Sequence, residues 1–448
     1  MGTVALGAGD DITLNFDGNK LLNLQIDASA LNALAQNGGV LRADGGQVLM
    51  SAKAAGDALR TVVNNQGVIQ ADTVREQAGR IVLDGGDKGL VNVGGTLLAT
   101  ASTGNGNGGF IETKGAQVVV QPTANISTRS LNGKAGGWKL ASADVSVKDG
   151  GTLSARTLEQ ALENSNVELV STKGDVNVSQ QVRWQNANKL SLTAEQAGIK
   201  INAPIKATGT GGALALNHKT GYTLNNDASV TLSGANAAFS VNGENYKVVQ
   251  NLAQLLDINN DLNARYVLGN TIIDNSKIKA IGGDYSFNGT FEGLGNTIQG
   301  LHIVDSGPFL GLFNTSTGAI SNLKLDSLTL TGNGNTLYTG ALAGVNFGTV
   351  SNVQATRINI SGGGDIGGLV GINFSKITDS SVSGKVIGSS RDSAIGGLVG
   401  INLSEIHNSQ ANVNVSTAGG ASYSDVGGLV GRNDGLIVGS SSWGRSAP

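Results

Sequence analysis

A seven-residue motif returns four times in the last quarter of this chain at nearly constant spacing, and that regularity constrains the fold more than any other feature. Gly340-Ala341-Leu342-Ala343-Gly344-Val345-Asn346 is followed by Gly367-Gly368-Leu369-Val370-Gly371-Ile372-Asn373. Gly396-Gly397-Leu398-Val399-Gly400-Ile401-Asn402 and Gly427-Gly428-Leu429-Val430-Gly431-Arg432-Asn433 complete the series, and a degenerate copy, Gly311-Leu312-Phe313-Asn314, precedes it. The motif glycines at 344, 371, 400 and 431 are 27, 29 and 31 residues apart. Six residues past each stands a β-branched residue: Val350, Ile377, Ile406 and Ile437. A unit of this length holds only a few short strands and cannot bury an apolar face alone. It must stack on its neighbours, so the chain reads as an array.

A looser repeat occupies the first 150 residues. Small pairs at Gly45-Gly46, Ala78-Gly79, Gly108-Gly109 and Gly136-Gly137 each introduce alternating apolar residues, with second members 33, 30 and 28 residues apart. In the middle, short alternations at Val176, Leu190, Ile199 and Leu214 recur at 23 and 24 residues, one coil of a β-solenoid. Helical periodicity is confined to 52–63, 155–163 and 247–256, which read as local insertions or caps. The composition agrees with this pattern. Glycine contributes 68 of 448 residues and proline 4, which excludes collagen and suits tight corners. The expected fold is therefore all-β, a right-handed parallel β-helix of roughly 17–20 coils with a few short helical insertions. The repeat glycines and Asn346, Asn373, Asn402 and Asn433 are structural positions, the asparagines forming a turn ladder along the stack.

Chemistry-bearing constellations are sparse. There is no cysteine, and the net charge of −3 offers no basic footprint for nucleic acid. No apolar run is long enough to span a membrane as a helix. His218, His302 and His407 lie in separate blocks without metal-ligand spacing, so they read as isolated turn residues. Gly104-x-Gly106-x-x-Gly109 formally matches a dinucleotide fingerprint but is followed by a strand-like segment rather than a helix. Asp257-x-Asn259-x-Asp261 begins like a calcium loop, yet Leu262 and Leu268 occupy the places of the required Gly and Glu, leaving at most a weak site. A polysaccharide lyase or glycosidase would need clustered carboxylates, and Asp84, Asp87, Asp144 and Asp149 are the acids that coil stacking would bring near one another. The expectation is no catalytic residue, no metal and no cofactor. Candidate ligand contacts are the aromatic residues Trp184, Tyr246, Tyr266 and Tyr285, the tyrosines lying with Phe287 and Phe291 in a segment that reads equally as a local core.

The chain resembles the filamentous-haemagglutinin-like exoproteins of bacterial two-partner secretion systems. The resemblance rests on segments such as Gly45-Gly46-Gln47-Val48-Leu49-Met50-Ser51-Ala52 and Val62-Val63-Asn64-Asn65-Gln66-Gly67, and on the array from 311 to 444, which is similar to the GLUG repeats of large bacterial surface proteins. Phe287-Asn288-Gly289-Thr290-Phe291-Glu292-Gly293 is similar to the segment that introduces such repeats. The resemblance implies an internal fragment of a secreted or cell-surface adhesin. Residues 1–75 would be the end of a secretion-domain-like region and the first coils, 76–150 further coils, 151–245 coils after a short helical insertion, 246–310 a helix-bearing transition and 311–448 the GLUG solenoid. The implied partners are host-cell or matrix glycans and proteins or biofilm polysaccharide, with an outer-membrane two-partner transporter for the full-length parent. A passive stalk bearing a toxin or haem-capturing module elsewhere, and a β-helical polysaccharide-processing enzyme, are the alternatives. The Asn-Pro motifs of the secretion domain are missing from this chain.

Overall fold

The computed structural model describes residues 2–447, apart from 18–19, 54, 56–59, 103–105 and 419–423. Strand accounts for 53% of the chain and helix for 4%, in a parallel β-solenoid of about 14 turns. The turns are fewer than the 17–20 expected because most coils consume nearer 30 residues than the 23 or 24 of the middle segment. The chain divides into two units, Met1–Asn245 and Tyr246–Pro448.

The first unit is built on one continuous parallel sheet. Its strands include Gln47–Ala52, Arg80–Asp84, Phe110–Lys114, Gly137–Ser142, Asn166–Ser171, Lys189–Ala194 and Ala213–His218. Alternate residues point inward and stack in register: Val48 on Ile81, Ile81 on Ile111, Ile111 on Trp138, then Val167, Leu190, Leu214 and Phe239. All are buried. The Trp138 indole N–H would be stranded in this column, and Thr113 Oγ1 one coil earlier accepts it at 3.1 Å. An antiparallel hairpin, Asp11–Asp17 with Lys20–Ala28, interrupts the coiling near the start.

Two further stacks of short strands close each turn, and both are replaced midway. Ala35–Asn37 to Gln117–Val120 form one stack and Val40–Arg42 to Asn125–Ser127 the other. Later coils use new stacks that begin at Val145–Val147 and Val182–Trp184. Helix α1 (Ala155–Asn164) fills the break. Ser154 caps it by accepting from Thr157 N–H at 3.1 Å, while Leu158, Ala161 and Leu162 are buried. Its last carbonyls would be orphaned, and Asn186 and Asn188 donate side-chain amides to Leu162 O at 2.9 and 2.6 Å.

Of the other two helical expectations, the one for 247–256 holds only in part and the one for 52–63 finds no helix among the described residues. At 52–63 the described ends belong to the strands Gln47–Ala52 and Arg60–Asn65, and 54 and 56–59 lie outside the described residues. Of 247–256, Glu244–Val249 is strand and only α2 (Leu252–Leu256) is helical, capped by the Asn251 side chain. Short apolar runs fit either period, and pairing with an adjacent coil decides for strand. Gly104 of the glycine fingerprint also lies outside the described residues, and Phe110–Lys114 after it is a strand, so no helix N-terminus follows.

His218 ends its strand with neither ring nitrogen finding a hydrogen-bond partner among the described residues. Desolvation holds its pKa below the ordinary 6.5. As pH falls through the ordinary value the unfolded chain takes up a proton that the folded chain refuses. Stability is therefore lost from that point down to the depressed folded pKa and is flat below it. The expected result is a urea midpoint that drops as pH falls through the ordinary histidine value, with the drop reduced in His218→Phe. An identical pH profile in both proteins would remove His218 as its cause.

The second unit repeats the design with a different cross-section. One sheet runs through Arg265–Leu268, Thr290–Glu292, Ala319–Asp326, Val350–Gly362 and Ser381–Gly388 to Gln410–Thr417. Two five-stranded sheets complete each turn, one from Phe309–Leu310 to Asp425–Gly427 and one from Phe313–Ser316 to Val430–Asn433. The β-branched residue of each repeat stacks in line, Val350 on Ile377, Ile377 on Ile406 and Ile406 on Ile437. Phe287, Phe291 and Phe313 pack together in the early coils of this core, the Phe287 and Phe291 ring centroids lying 4.7 and 5.7 Å from that of Phe313.

Candidate functional site

The repeat motif builds its coil from the inside. Asn346, Asn373 and Asn402 are fully buried at the turn that ends one short strand of each coil. Asn346 Nδ2 donates to Asn373 Oδ1 at 2.8 Å, Asn373 to Asn402 at 2.9 Å and Asn402 to Asn433 at 2.8 Å. The second amide hydrogen of each serves its own turn: Asn373 Nδ2 reaches Ser375 O, Asn402 Nδ2 reaches Ser404 O and Asn433 Nδ2 reaches Gly435 O. One side chain thus satisfies a local turn and the next coil at once. The degenerate copy does not join. Ser316, two residues beyond Asn314, occupies the phase of Asn346, so the ladder starts at Asn346.

Gly344, Gly371, Gly400 and Gly431 let each coil lie close against the backbone of the coil before it. A Cβ on each would lie 2.8, 2.6, 2.5 and 2.5 Å from the nearest backbone atom. Outside the main core, Val345, Ile372, Ala394 and Ile401 form a second small apolar cluster flanked by the stacked rings of Phe309 and Tyr338. Burial there pushes the Asp365 carboxyl above its usual range, opposed by the Ala394 N–H at 2.6 Å.

The four expected ligand contacts separate once they are placed. Trp184 is 2% exposed, with its indole N–H donated to Asn188 O at 2.8 Å. Tyr266 is 4% exposed and its hydroxyl donates to Asp261 O at 2.7 Å. Both are core residues, which corrects their reading as surface contacts. Tyr246 is half-buried. Tyr285 alone of the four projects freely, at 76% exposure. Its turn is held from both sides: Gly282 N–H donates to Asn259 Oδ1 at 2.8 Å, and Asn314 Nδ2 donates to Gly283 O at 2.9 Å. The backbone around it is left-handed at Gly282 and Gly283, with φ of 105° and 54°.

The possible acid cluster divides between two grooves. Asp84 and Asp87 line one with Lys114 and Lys173, and Asp144 and Asp149 line another of about 920 Å³. Asp84 is ion-paired with Lys114 at 3.2 Å and Asp149 accepts from Gln180 at 3.0 Å. The calcium-like turn is also engaged elsewhere. Asp261 pairs with Lys247 at 2.7 Å and Asn259 supports the Tyr285 turn, and no metal-holding group of His, Cys, Asp and Glu occurs among the described residues. His407 bonds Glu405 at 3.1 Å.

An outward column escaped the sequence reading. The residue after each ladder asparagine points to solvent, and there stand Phe347, Phe374 and Leu403, exposed by 50%, 42% and 38%. The two rings stack at 4.6 Å with 13° between planes. Aromatic residues at one fixed offset from the repeat asparagine were the available signal.

The GLUG motif model matches residues 362–387. Over 105 residues, 22% of this chain, the sequence is 37% identical to Halomucin of Haloquadratum walsbyi (strain DSM 16790 / HBSQ001). The chain spans about 1% of the length of that curated relative. No solved structure matches. No helix among the described residues is long and apolar enough to cross a membrane. A GLUG motif carried on a parallel β-solenoid fits a surface exoprotein.

Proposed function

We propose that this chain is a segment of a surface adhesin, exported in the manner of the filamentous-haemagglutinin-like exoproteins it resembles, and that it attaches without catalysis. The observation that carries the reading is Tyr285, an almost fully exposed ring on a turn fixed by Asn259 and Asn314. A tyrosine offers an apolar face to the C–H side of a sugar or to a protein patch, and its hydroxyl to a polar group beside it. Pre-ordering the turn lowers the entropy lost on contact. Weak single contacts then sum when many copies stand on one surface. The partners are glycans or proteins of host cells and matrix, or biofilm polysaccharide; export of the longer parent would use an outer-membrane two-partner transporter.

The test is binding of the purified chain to a glycan array and to immobilised matrix proteins. Saturable binding is expected, weakened about tenfold or more by Tyr285→Ala with an unchanged circular dichroism spectrum. A folded chain that binds nothing saturably, or binds equally well without the Tyr285 ring, overturns the reading.

A further inference from the structure

The coils that carry the motif expose a ridge that is complementary to itself. Phe347, Phe374 and Leu403 form its apolar column. Because the two rings cover each other face to face, what they present outward is their edges, a poor platform for a stacked sugar but a good surface for another apolar column. Two residues further along each turn runs a second exposed column, in which Lys376 stands beside Glu405 at 3.8 Å. The charges are opposite and lie on the same two coils as Phe374 and Leu403.

We propose that this ridge docks a second copy of the chain, antiparallel, about a two-fold axis crossing the ridge between the coils of Phe374 and Leu403. Such an axis lays apolar column on apolar column and reverses the coil order. Phe374 then meets the partner's Leu403, and Lys376 meets the partner's Glu405, each contact occurring twice. A parallel two-fold would instead either set the apolar column against the charged one or, placed over the apolar column, carry Lys376 and Glu405 to opposite sides without partners across the interface. Phe347 falls opposite the partner's Asp434, a position whose carboxylate is already held within its own chain by Arg432 at 3.5 Å. Exchanging the intrachain Lys376–Glu405 contact for two contacts shielded by apolar neighbours strengthens each, since screening by solvent falls. The ridge is narrow, so the association belongs to the weak, reversible class. It is separate from Tyr285 and stands or falls without the adhesive reading.

Sedimentation equilibrium of the full chain into the high micromolar range tests it. A concentration-dependent dimer is expected. Phe374→Ser, Lys376→Glu and Glu405→Lys should each weaken it at least about tenfold, and the double exchange K376E/E405K should restore it. These side chains lie on the surface, so all four variants should keep the wild-type spectrum and fold, Phe374→Ser melting slightly lower for the lost stack on Phe347; Tyr285→Ala should dimerise like the wild type. A chain that stays monomeric throughout overturns the proposal. So does a dimer indifferent to Lys376→Glu, or one that the double exchange fails to recover, as pairing of strand edges end to end would give.

Discussion

Replacing Asn373 by Leu is expected to destabilise the repeat coils by about 3–5 kcal/mol, although the two side chains are close in volume. Asn373 is buried and makes four bonds: it accepts from Asn346 Nδ2 and Ser375 N–H and donates to Asn402 Oδ1 and Ser375 O. A leucine there strands the amide of Asn346, the carbonyl oxygen of Asn402 and the turn of Ser375 away from water. Leaving one buried polar group unpaired costs about 1–3 kcal/mol, and here several are left together. Asn433→Leu is the control. Asn433 is exposed at the last rung, so water serves its own turn and only one N–H of the buried Asn402 loses its partner; the cost should stay nearer about 1–2 kcal/mol. Urea unfolding followed by circular dichroism measures both. Equal, small losses would mean that the ladder follows the coils without holding them.

Gly371→Ala is expected to cost about 3 kcal/mol or more, at the upper end of overpacking, and Gly371→Val more still. A Cβ at this position would lie 2.6 Å from Gly344 O and 2.7 Å from Thr339 N. Both are backbone atoms inside sheets, and neither can move without breaking the ladder it belongs to. Gly137 makes the contrast within the same chain. Its added Cβ would meet the Phe110 ring at 3.5 Å, an ordinary contact, and Gly137→Ala should leave the melting temperature within about 2 °C of wild type. If the two alanines melt alike, close approach does not explain the motif glycine.

The solenoid was legible because stacking writes itself into sequence as identical residues at equal phase. The spacing of Val176 to Ile199 and Leu190 to Leu214 is the register in which those strands pair. Facing was harder to read. Trp184 is a candidate contact by its aromatic ring alone, yet Val182 and Trp184 alternate with the exposed Arg183, and period-two alternation already places the ring inside. The ridge at Phe347, Phe374 and Leu403 was missed for the opposite reason. A buried asparagine at a corner resets the alternation, so strand logic says nothing about the next residue. Tyr285 could not be sorted from Tyr266 by composition, since both sit in one aromatic-rich stretch and only the turn at Gly282 and Gly283 sends one outward.

The asparagine rungs also decide where these coils are free to change length. Between Gly362 and Asp365 lie two residues, between Gly388 and Ala394 five, and between Thr417 and Asp425 seven. That connection lengthens by five residues while the spacing grows by four, from 27 to 31, one residue being taken back at the register shift between Ala355 and Ile358, and every rung downstream returns to the same phase. Insertions there change the outline of the surface and leave the stacking untouched, whereas a single residue gained beside Asn373 would turn the interior out. The array therefore has a corner open to diversification and a corner closed to it, and successive copies of one repeat can drift apart in what they present while remaining interchangeable in how they stack.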